Sequence, residues 1–293
     1  FGMLPNAHGT APGFAGLIQN ALVVALPGPP AELEPMFLEQ VIPLLSEKFG
    51  LNEQGPNQEE LVATALLIPE SRLEQALQEG SRGELEWGTR LAPDRIVFTL
   101  RGGRPQERER LLGDLEGQFS PVLIRRGDVS PALLLFRQLE NRGLRIALAE
   151  SCTGGLASKW ITDQAGSSKI FWGCLVVYAN EAKVSLLGVR EEQLRRHGAV
   201  SPQVASELSR GLLERTPAEV GVAITGIAGP EGGGSKPVGT VWISARRREG
   251  PWSELCQGFH FLGNRDQIRR RSAVAGFLLA ECLLEGRPFP DDV

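Results

Sequence analysis

Four short segments hold most of the groups that could do chemistry, and three of them follow apolar runs. The first is LAESCTGGLASKW at 148–160, in which Ser151 and Thr153 precede Gly154 and Gly155. Two glycines at a strand-to-helix junction let backbone N–H groups face an anion, and the hydroxyls can donate to the same ligand. A turn capped by a serine or threonine side chain explains the same residues without any ligand. The segment is therefore either a capped turn or the floor of an active site.

The second segment, GSSKIFWGCLVVYANEAK at 166–183, combines a hydroxyl, a phenol and an amine. It contains Ser168, Lys183 and the only tyrosine of the chain, Tyr178. A lysine serves as the general base for a serine when burial and neighbouring donors lower its pKa. The plain alternative is a helix capped by Asn180 that carries a surface lysine.

The third segment, TGIAGPEGGGSKPVGTVW at 225–242, is rich in glycine. Thr225 stands at the end of a strand, and the loop after it includes Gly226, Gly229 and Lys236. Glycines let the backbone approach a ligand at low steric cost. A mobile hairpin connection is the alternative interpretation.

The fourth segment, GNRDQIR at 263–269, places Arg265 and Arg269 on the first turns of a helix, where they suit a phosphate or carboxylate. Three glycine-bearing loops after three strands predict one crevice at one edge of a sheet. The histidines and cysteines show no metal-ligand spacing. These residues predict hydrolysis of an amide or ester in a small phosphorylated molecule, with an oxyanion hole instead of a metal.

The elements that position these segments indicate an α/β fold. Strands alternate with amphipathic helices over residues 129–293, which predicts a three-layer α/β/α sandwich. Residues 51–128 have an α+β pattern with a hairpin and two helices. Residues 1–50 hold a short strand and a helix with an apolar face, as in part of an α/β domain.

Composition narrows the class of protein. The chain has 293 residues, a net charge of −4 and four widely spaced cysteines without a CxxC pair. The cysteines favour free thiols in a reducing cytoplasm, and the acidic balance disfavours a general nucleic-acid binder. No apolar run reaches the ~18 residues of a membrane span, and the first residues do not match a signal peptide. We expect a cytoplasmic protein that does not bind membranes.

Five ordered strings are similar to one family: AESCTGGLASKWITDQAGSS, VVYANEAKVSLLGV, HGAVS, TGIAGPEGGGSKPVGTVW and GNRDQIRR. Over roughly residues 130–286 the chain resembles the C-terminal domain of the competence/damage-inducible CinA family, a nicotinamide mononucleotide deamidase. Residues 1–50 resemble the tail of the family's molybdopterin-binding-like domain. Residues 51–128 resemble its KH-like middle module.

The resemblance implies hydrolysis of nicotinamide mononucleotide to nicotinate mononucleotide and ammonia in pyridine nucleotide salvage, without a metal or organic cofactor. It implies Ser168 as the nucleophile, Lys183 as its base and Tyr178 as an assisting group. Ser151 is the second candidate nucleophile. The residues expected to bind the substrate are Thr153, Gly154, Gly155, Thr225, Gly226, Gly229, Lys236 and Arg265. Ala179 departs from the family pattern, which usually has a small hydroxyl residue there.

Three alternatives stay open at this point. The first is an amidase with Cys152 as nucleophile beside Glu150 and Lys183. The second is a nucleic-acid-binding module without catalysis, and the third is a degenerate scaffold with an unused site. A homo-oligomer is also open. From residues 1–50 we expect no pyrophosphatase activity, and we expect exposed apolar surface.

Overall fold

The computed structural model describes residues 1–19, 21–49, 60–232, 236–250 and 253–290. The chain forms two compact units, Phe1–Glu59 and Glu60–Val293. The domain boundary expected at residue 51 lies outside the described residues. Within the described ranges, no helix combines the length and the apolar character that crossing a bilayer requires.

The first unit is a small antiparallel sheet with a helical segment. Its strands are β1 (Gly2–Leu4), β2 (Gly13–Ile18) and β3 (Ala21–Ala25), and its helices are α1 (Pro30–Met36) and α2 (Ile42–Phe49). A π-helical turn joins the two helices, and in it Ile42 N–H reaches Phe37 O just before Pro43. Pro43 cannot donate a helical hydrogen bond, which favours a distortion of the helix at this point.

Apolar side chains of the first unit divide between a small core and the surface. Leu4, Ala15, Met36 and Val41 pack together. Met3, Leu17, Ile18 and Leu38 are among the exposed large apolar side chains. The prediction of exposed apolar surface on residues 1–50 is therefore confirmed.

The second unit begins with an α+β module. Its elements are β4 (Leu61–Ala65), α3 (Glu70–Gly80), β5 (Glu86–Leu91), β6 (Ile96–Arg101), α4 (Pro105–Phe119) and β7 (Ile124–Arg126). The antiparallel sheet has the order β5-β6-β4-β7, which is the split βαβ arrangement. The α+β prediction is confirmed, and the likeness to a KH module stays a prediction.

The rest of the second unit is built around a five-stranded mixed sheet of order β12-β11-β10-β8-β9. Its strands are β8 (Ile146–Glu150), β9 (Phe171–Val176), β10 (Val220–Gly226), β11 (Thr240–Arg247) and β12 (Glu254–His260). Its helices are α5 (Pro131–Arg142), α6 (Leu156–Thr162), α7 (Asn180–Leu187), α8 (Glu191–His197), α9 (Pro202–Arg215) and α10 (Arg265–Glu285). β8, β9 and β10 run parallel, and β11 and β12 run antiparallel to their neighbours.

Alternating side chains of β8 show the three layers. Ile146 and Leu148 belong to the core that includes the apolar face of α10, whereas Ala147 and Ala149 belong to the core formed with α9. Helices therefore cover both faces of the sheet, because side chains in a strand alternate between its two faces. The predicted three-layer α/β/α sandwich is confirmed.

Local sequence signals determine both ends of α5. Ser130 Oγ accepts the Leu133 N–H at 3.2 Å, Pro131 is the first residue of α5, and Gly143 ends the helix in the left-handed region. These three residue types suit those positions because of side-chain capping, a fixed φ and the absence of a Cβ.

The connections around β8 create a crevice. From β8 the chain passes through α6 to β9 on one side, and it later returns in β10 on the other side of β8. The connecting helices therefore leave toward opposite faces at the carboxyl ends of these strands. In open α/β sheets, ligands bind at such a switch point.

A buried carboxylate joins the α+β module to the sandwich. Glu281 of α10 is 1% exposed. It accepts from Arg125 of β7 at 3.2 Å, and the Gln138 amide lies 3.4 Å from the same oxygen. Burial raises the pKa of the Glu281 carboxyl from 4.5 to about 7, although Arg125 acts in the opposite direction. The folded protein therefore holds this proton more tightly than the unfolded chain does.

Glu281→Gln is expected to raise the free energy of unfolding relative to the wild type by more at pH 8 than at pH 5. As the pH rises from about 4.5 to about 7, the unfolded chain ionises at this position before the folded protein does. The free energy of unfolding of the wild type therefore falls over this window, by at most about 3 kcal/mol. Urea unfolding at the two pH values measures the difference. The exposed Asp266→Asn on the same helix is the control, and an equal pH response of Glu281→Gln and wild type would contradict the assignment.

Candidate active site

A pocket of about 200 Å³ lies at the carboxyl ends of β8, β9 and β10. It is lined by Ser151, Cys152, Tyr178, Asn180, Lys183, Ala199, Val200, Thr225, Gly226, Ala228 and Arg265. Residues from all four segments singled out in the sequence therefore meet here. The prediction of one crevice at one edge of the sheet is confirmed.

The Lys183 amine is the central group of the pocket. Lys183 lies in the first half of α7, and its side chain is 1% exposed. Its Nζ lies 3.2 Å from Ser151 Oγ, and it donates to Val177 O at 2.8 Å and to Tyr178 O at 2.9 Å. Within the described part of the chain, no carboxylate forms an ion pair with this lysine. The surface-lysine interpretation is therefore wrong.

Burial lowers the pKa of the Lys183 amine from its ordinary value of 10.5, and the charge of Glu181 acts in the opposite direction. A buried cation without a charged partner is disfavoured relative to its neutral form. The two carbonyl acceptors match the two N–H bonds of a neutral amine, which leaves its lone pair facing the Ser151 hydroxyl.

Ser151 is placed by the turn that follows β8. The side chain is 7% exposed, and the Ser151 N–H donates to Ile224 O at 2.9 Å. Gly154 and Gly155 have φ values of 58° and 93°, which glycine adopts readily and other residues rarely do. The turn therefore requires these glycines to bring Ser151 to the edge of the pocket.

The glycine turn does not present its N–H groups to an outside anion. The Glu150 carboxylate accepts from the N–H groups of Gly155 at 2.8 Å, Ala157 at 3.2 Å and Ser158 at 2.7 Å. The expected substrate contact of the Gly155 N–H is therefore corrected, because Glu150 already occupies it. Gly154 is exposed, and it is not among the residues that line the pocket.

The Thr153 hydroxyl and the Lys236 amine also do not meet the expected substrate: the hydroxyl is buried without a hydrogen-bond partner among the described residues, and the amine binds two carbonyls. The Thr153 side chain is fully buried, and its carbonyl accepts from Arg269. Lys236 donates to His197 O at 2.7 Å and to Val200 O. Neither side chain lines the pocket. Lys236 instead holds residues 197–200, which contribute Ala199 and Val200 to the wall.

Thr225 and Gly226 form the part of the pocket contributed by β10. The Thr225 hydroxyl donates to Ala199 O at 2.9 Å and so attaches the same wall to the sheet. A Cβ on Gly226 would lie 2.7 Å from Val241 Cγ2 and 3.0 Å from Cys152 Sγ. Only glycine fits this position without displacing the residues around it.

Tyr178 and Arg265 form the exposed rim. Arg265 donates to the Tyr178 hydroxyl at 3.0 Å and to Gly229 O. The expected substrate contact of Gly229 is therefore corrected, because Gly229 does not line the pocket and its carbonyl instead holds the arginine. Tyr178 is 59% exposed, so its phenol faces the mouth of the pocket.

Ser168 is not at this site. It lies exposed in the 3-10 turn Ser167–Lys169, before β9, whereas Lys183 follows β9. The six residues of β9 span about 20 Å, so Ser168 and Lys183 lie at opposite ends of this strand. The expected pairing of Ser168 with Lys183 is therefore corrected, and the hydroxyl beside this lysine belongs to Ser151.

Cys152 reaches the pocket but is poorly suited as a nucleophile. Its side chain is buried, and this burial raises the pKa of the thiol from 9.0 to about 12. The nucleophilic form of cysteine is the thiolate, which is almost absent at neutral pH with such a pKa. The geometry therefore favours the Ser151 hydroxyl over this thiol.

The sequence interpretation missed several lining residues and the role of Glu150. Ala199, Val200 and Ala228 carry no reactive group, so no chemical signal marked them. Asn180 was interpreted as a helix cap, but the N-cap of α7 is Ala179. An acidic residue at the end of a strand, directly before a glycine turn and a helix, was an available signal for Glu150.

The fold and the pocket define an α/β/α protein with a serine hydroxyl beside a buried lysine at the switch point of its sheet. A family model described as the CinA C-terminal domain matches residues 130–284. The chain therefore belongs to the CinA family.

Relatives and solved structures agree with this membership. A putative competence-damage inducible protein of Symbiobacterium thermophilum is 38% identical over 97% of this chain and 70% of that protein. A protein of the same description from Bacillus subtilis is 37% identical over 97% of this chain and 68% of that protein. The crystal structure of the competence/damage inducible protein CihA from Agrobacterium tumefaciens is 37% identical, with a TM-score of 0.50, over 52% of this chain and 93% of that one.

Proposed function

We propose that the pocket hydrolyses the carboxamide of nicotinamide mononucleotide to nicotinate mononucleotide and ammonia. The observation that carries the proposal is the contact of 3.2 Å between Lys183 Nζ and Ser151 Oγ in a buried setting. A serine hydroxyl is a weak nucleophile unless an adjacent base removes its proton. The choice of substrate rests on the resemblance of the motifs to the deamidase domain of the family.

In the proposed reaction, Ser151 Oγ attacks the carboxamide carbon while its proton passes to Lys183 Nζ. The tetrahedral intermediate collapses when the C–N bond breaks, and Lys183 returns the proton to the leaving nitrogen, so that ammonia departs. Water then attacks the resulting ester, again with Lys183 as base. Cleavage of this ester releases nicotinate mononucleotide and restores the Ser151 hydroxyl.

The size and charge of the pocket support a substrate that inserts only its amide end. Drug-sized ligands occupy pockets of roughly 300–1,000 Å³, and the volume here is about 200 Å³. Only the amide end of a mononucleotide therefore needs to be enclosed. The exposed Arg265 at the rim supplies positive charge for the phosphate that stays outside.

Ammonia release from purified protein tests this function directly. Nicotinamide mononucleotide is expected to be deamidated, and nicotinamide without ribose phosphate is expected to react far more slowly because it lacks the rim contact. A wild-type rate of ammonia release no higher than that of Ser151→Ala would contradict the proposed function. Equal rates with both compounds would contradict recognition of the phosphate.

Cys152→Ala is expected to retain deamidation within about threefold of the wild type. The thiol is not required if Ser151 is the nucleophile, and the small cavity lowers the free energy of unfolding by on the order of 1 kcal/mol. Steady-state ammonia assays together with thermal melting separate the two effects. A loss as large as that of Ser151→Ala would instead support the thiol mechanism.

A further inference from the structure

Glu150 is a buried carboxylate next to the proposed nucleophile, yet it does not line the pocket. It is the last residue of β8, and its side chain is fully buried. Within the described ranges no cation forms an ion pair with it. Its partners are instead the three N–H groups at the start of α6 and the Cys174 thiol, whose Sγ lies 3.5 Å from Oε1.

These contacts differ from an ordinary helix cap. The N-cap of α6 is Gly155, which has no side chain to offer. The accepting oxygens come from a residue five positions earlier, so the side chain closes a loop over residues 151–155. Ser151 is the first residue of this loop, and Gly155 is the last. We therefore expect a change in the carboxylate to move the segment that carries the Ser151 hydroxyl.

We propose that Glu150 is a positioning residue that keeps Ser151 Oγ within reach of Lys183 Nζ. Other contacts hold the same turn: the Ser151 N–H donates to Ile224 O at 2.9 Å, Arg269 Nη2 donates to Thr153 O at 2.6 Å, and the Gly154 N–H donates to Ser151 O at 3.2 Å. At Gly155 the carbonyl accepts from the Lys159 N–H and the Ser158 hydroxyl, both of α6, whereas the Gly155 N–H donates to Glu150 and so ties this end of the turn to β8. This role rests on the proposed function of the Ser151–Lys183 pair.

The effect on rate follows from the length of the Ser151–Lys183 contact. At 3.2 Å it is already near the upper end of hydrogen-bond distances. A shift of the turn by about 1 Å would break it, and such a misplacement costs on the order of 10²-fold in rate. The substrate contacts at the rim come from other elements, so KM is expected to change little.

Glu150→Gln is the test variant, because it keeps the size of the side chain but replaces one accepting oxygen with a donor. We expect kcat for nicotinamide mononucleotide to fall by about 10²-fold, with KM within threefold of the wild type. Water that enters the relaxed turn would also raise the pKa of Lys183. The acidic limb of the rate profile would then move to higher pH.

Glu207→Gln is the matched control. Glu207 is another buried carboxylate that accepts a backbone N–H, from Arg190 at 2.9 Å, but it lies on α9 and outside the pocket. It is expected to lose stability without a selective loss of kcat or a shifted pH profile. Glu150→Asp is the second variant, since its shorter carboxylate cannot reach all three N–H groups. The kinetic comparison with the wild type uses the Glu150 variant whose melting temperature lies above the assay temperature.

A second readout separates this inference from the proposed function. A fluorophosphonate probe labels an activated serine when Oγ attacks phosphorus, fluoride departs and the base takes the proton. We expect Ser151 of the wild type to be labelled, and labelling of the Glu150 variants to be about 10²-fold slower. Equal labelling and equal kcat in wild type and variants would overturn the role of Glu150. Labelled wild type that releases no ammonia would overturn only the choice of substrate.

Discussion

Ser151→Ala is expected to reduce deamidation of nicotinamide mononucleotide by about 10³-fold to 10⁶-fold, whereas Ser168→Ala leaves the rate unchanged. Removal of a nucleophile leaves only the catalysis that binding and charge stabilisation supply. Ser151 is the hydroxyl in contact with Lys183, and Ser168 lies at the opposite edge of the sheet. Steady-state ammonia release from the two purified variants measures the contrast.

The two serines provide their own control, because both substitutions remove one hydroxyl from a segment that also contains glycine. Thermal melting of both variants checks that a lost rate does not reflect a lost fold. A large loss in Ser168→Ala with an active Ser151→Ala would show that the placement of the nucleophile is wrong.

Lys183→Arg is expected to lower the deamidation rate by 10³-fold or more, even though it keeps the positive charge and the hydrogen-bond donors. An arginine in a protein does not lose its proton and therefore cannot accept one from Ser151. Lys183→Met, which removes both charge and base, is expected to be equally slow. Similar losses in the two variants would show that the reaction needs a base at this position and that a cation is not enough.

The pH dependence of the wild type follows from the same lysine. The neutral amine is the active form, so the rate rises as the pH increases through the Lys183 pKa. Burial holds this pKa below the ordinary value of 10.5, and the acidic limb of kcat/KM is expected below that pH. Lys159→Met, which alters an exposed lysine paired with Asp163, is the control. An unchanged rate and profile in Lys183→Arg would rule out this base.

Much of the candidate site could be predicted because its residues lie at or just after the carboxyl ends of strands. Ser151 and Lys183 come after β8 and β9, and Thr225 is the second-last residue of β10. Parallel strands place their carboxyl ends on the same side of a sheet. The same rule excludes Ser168, which precedes β9. It was chosen because it matches a motif close to Lys183 in sequence, whereas the length of a strand separates the two residues in space.

Other errors concern partners that only packing reveals. A glycine turn, a buried threonine and a loop lysine all had the composition of a ligand site. In the folded protein the Gly155 N–H is bonded to Glu150, and the Lys236 amine is bonded to the carbonyls of His197 and Val200. Composition indicates which groups can bind an anion or a carbonyl. It does not indicate whether those groups are already bonded to another part of the chain.

The amino-acid sequence alone determined the layered α/β architecture, the ends of helices such as α5 and the family, because periodicity, caps and ordered motifs are local properties. The tertiary structure decided which hydroxyl faces the amine, which donors are already occupied and how deeply Lys183 is buried. These properties depend on contacts between residues far apart in the chain, such as Ser151 with Lys183 and Thr225 with Ala199. Desolvation and hydrogen-bond partners arise only when those segments pack together.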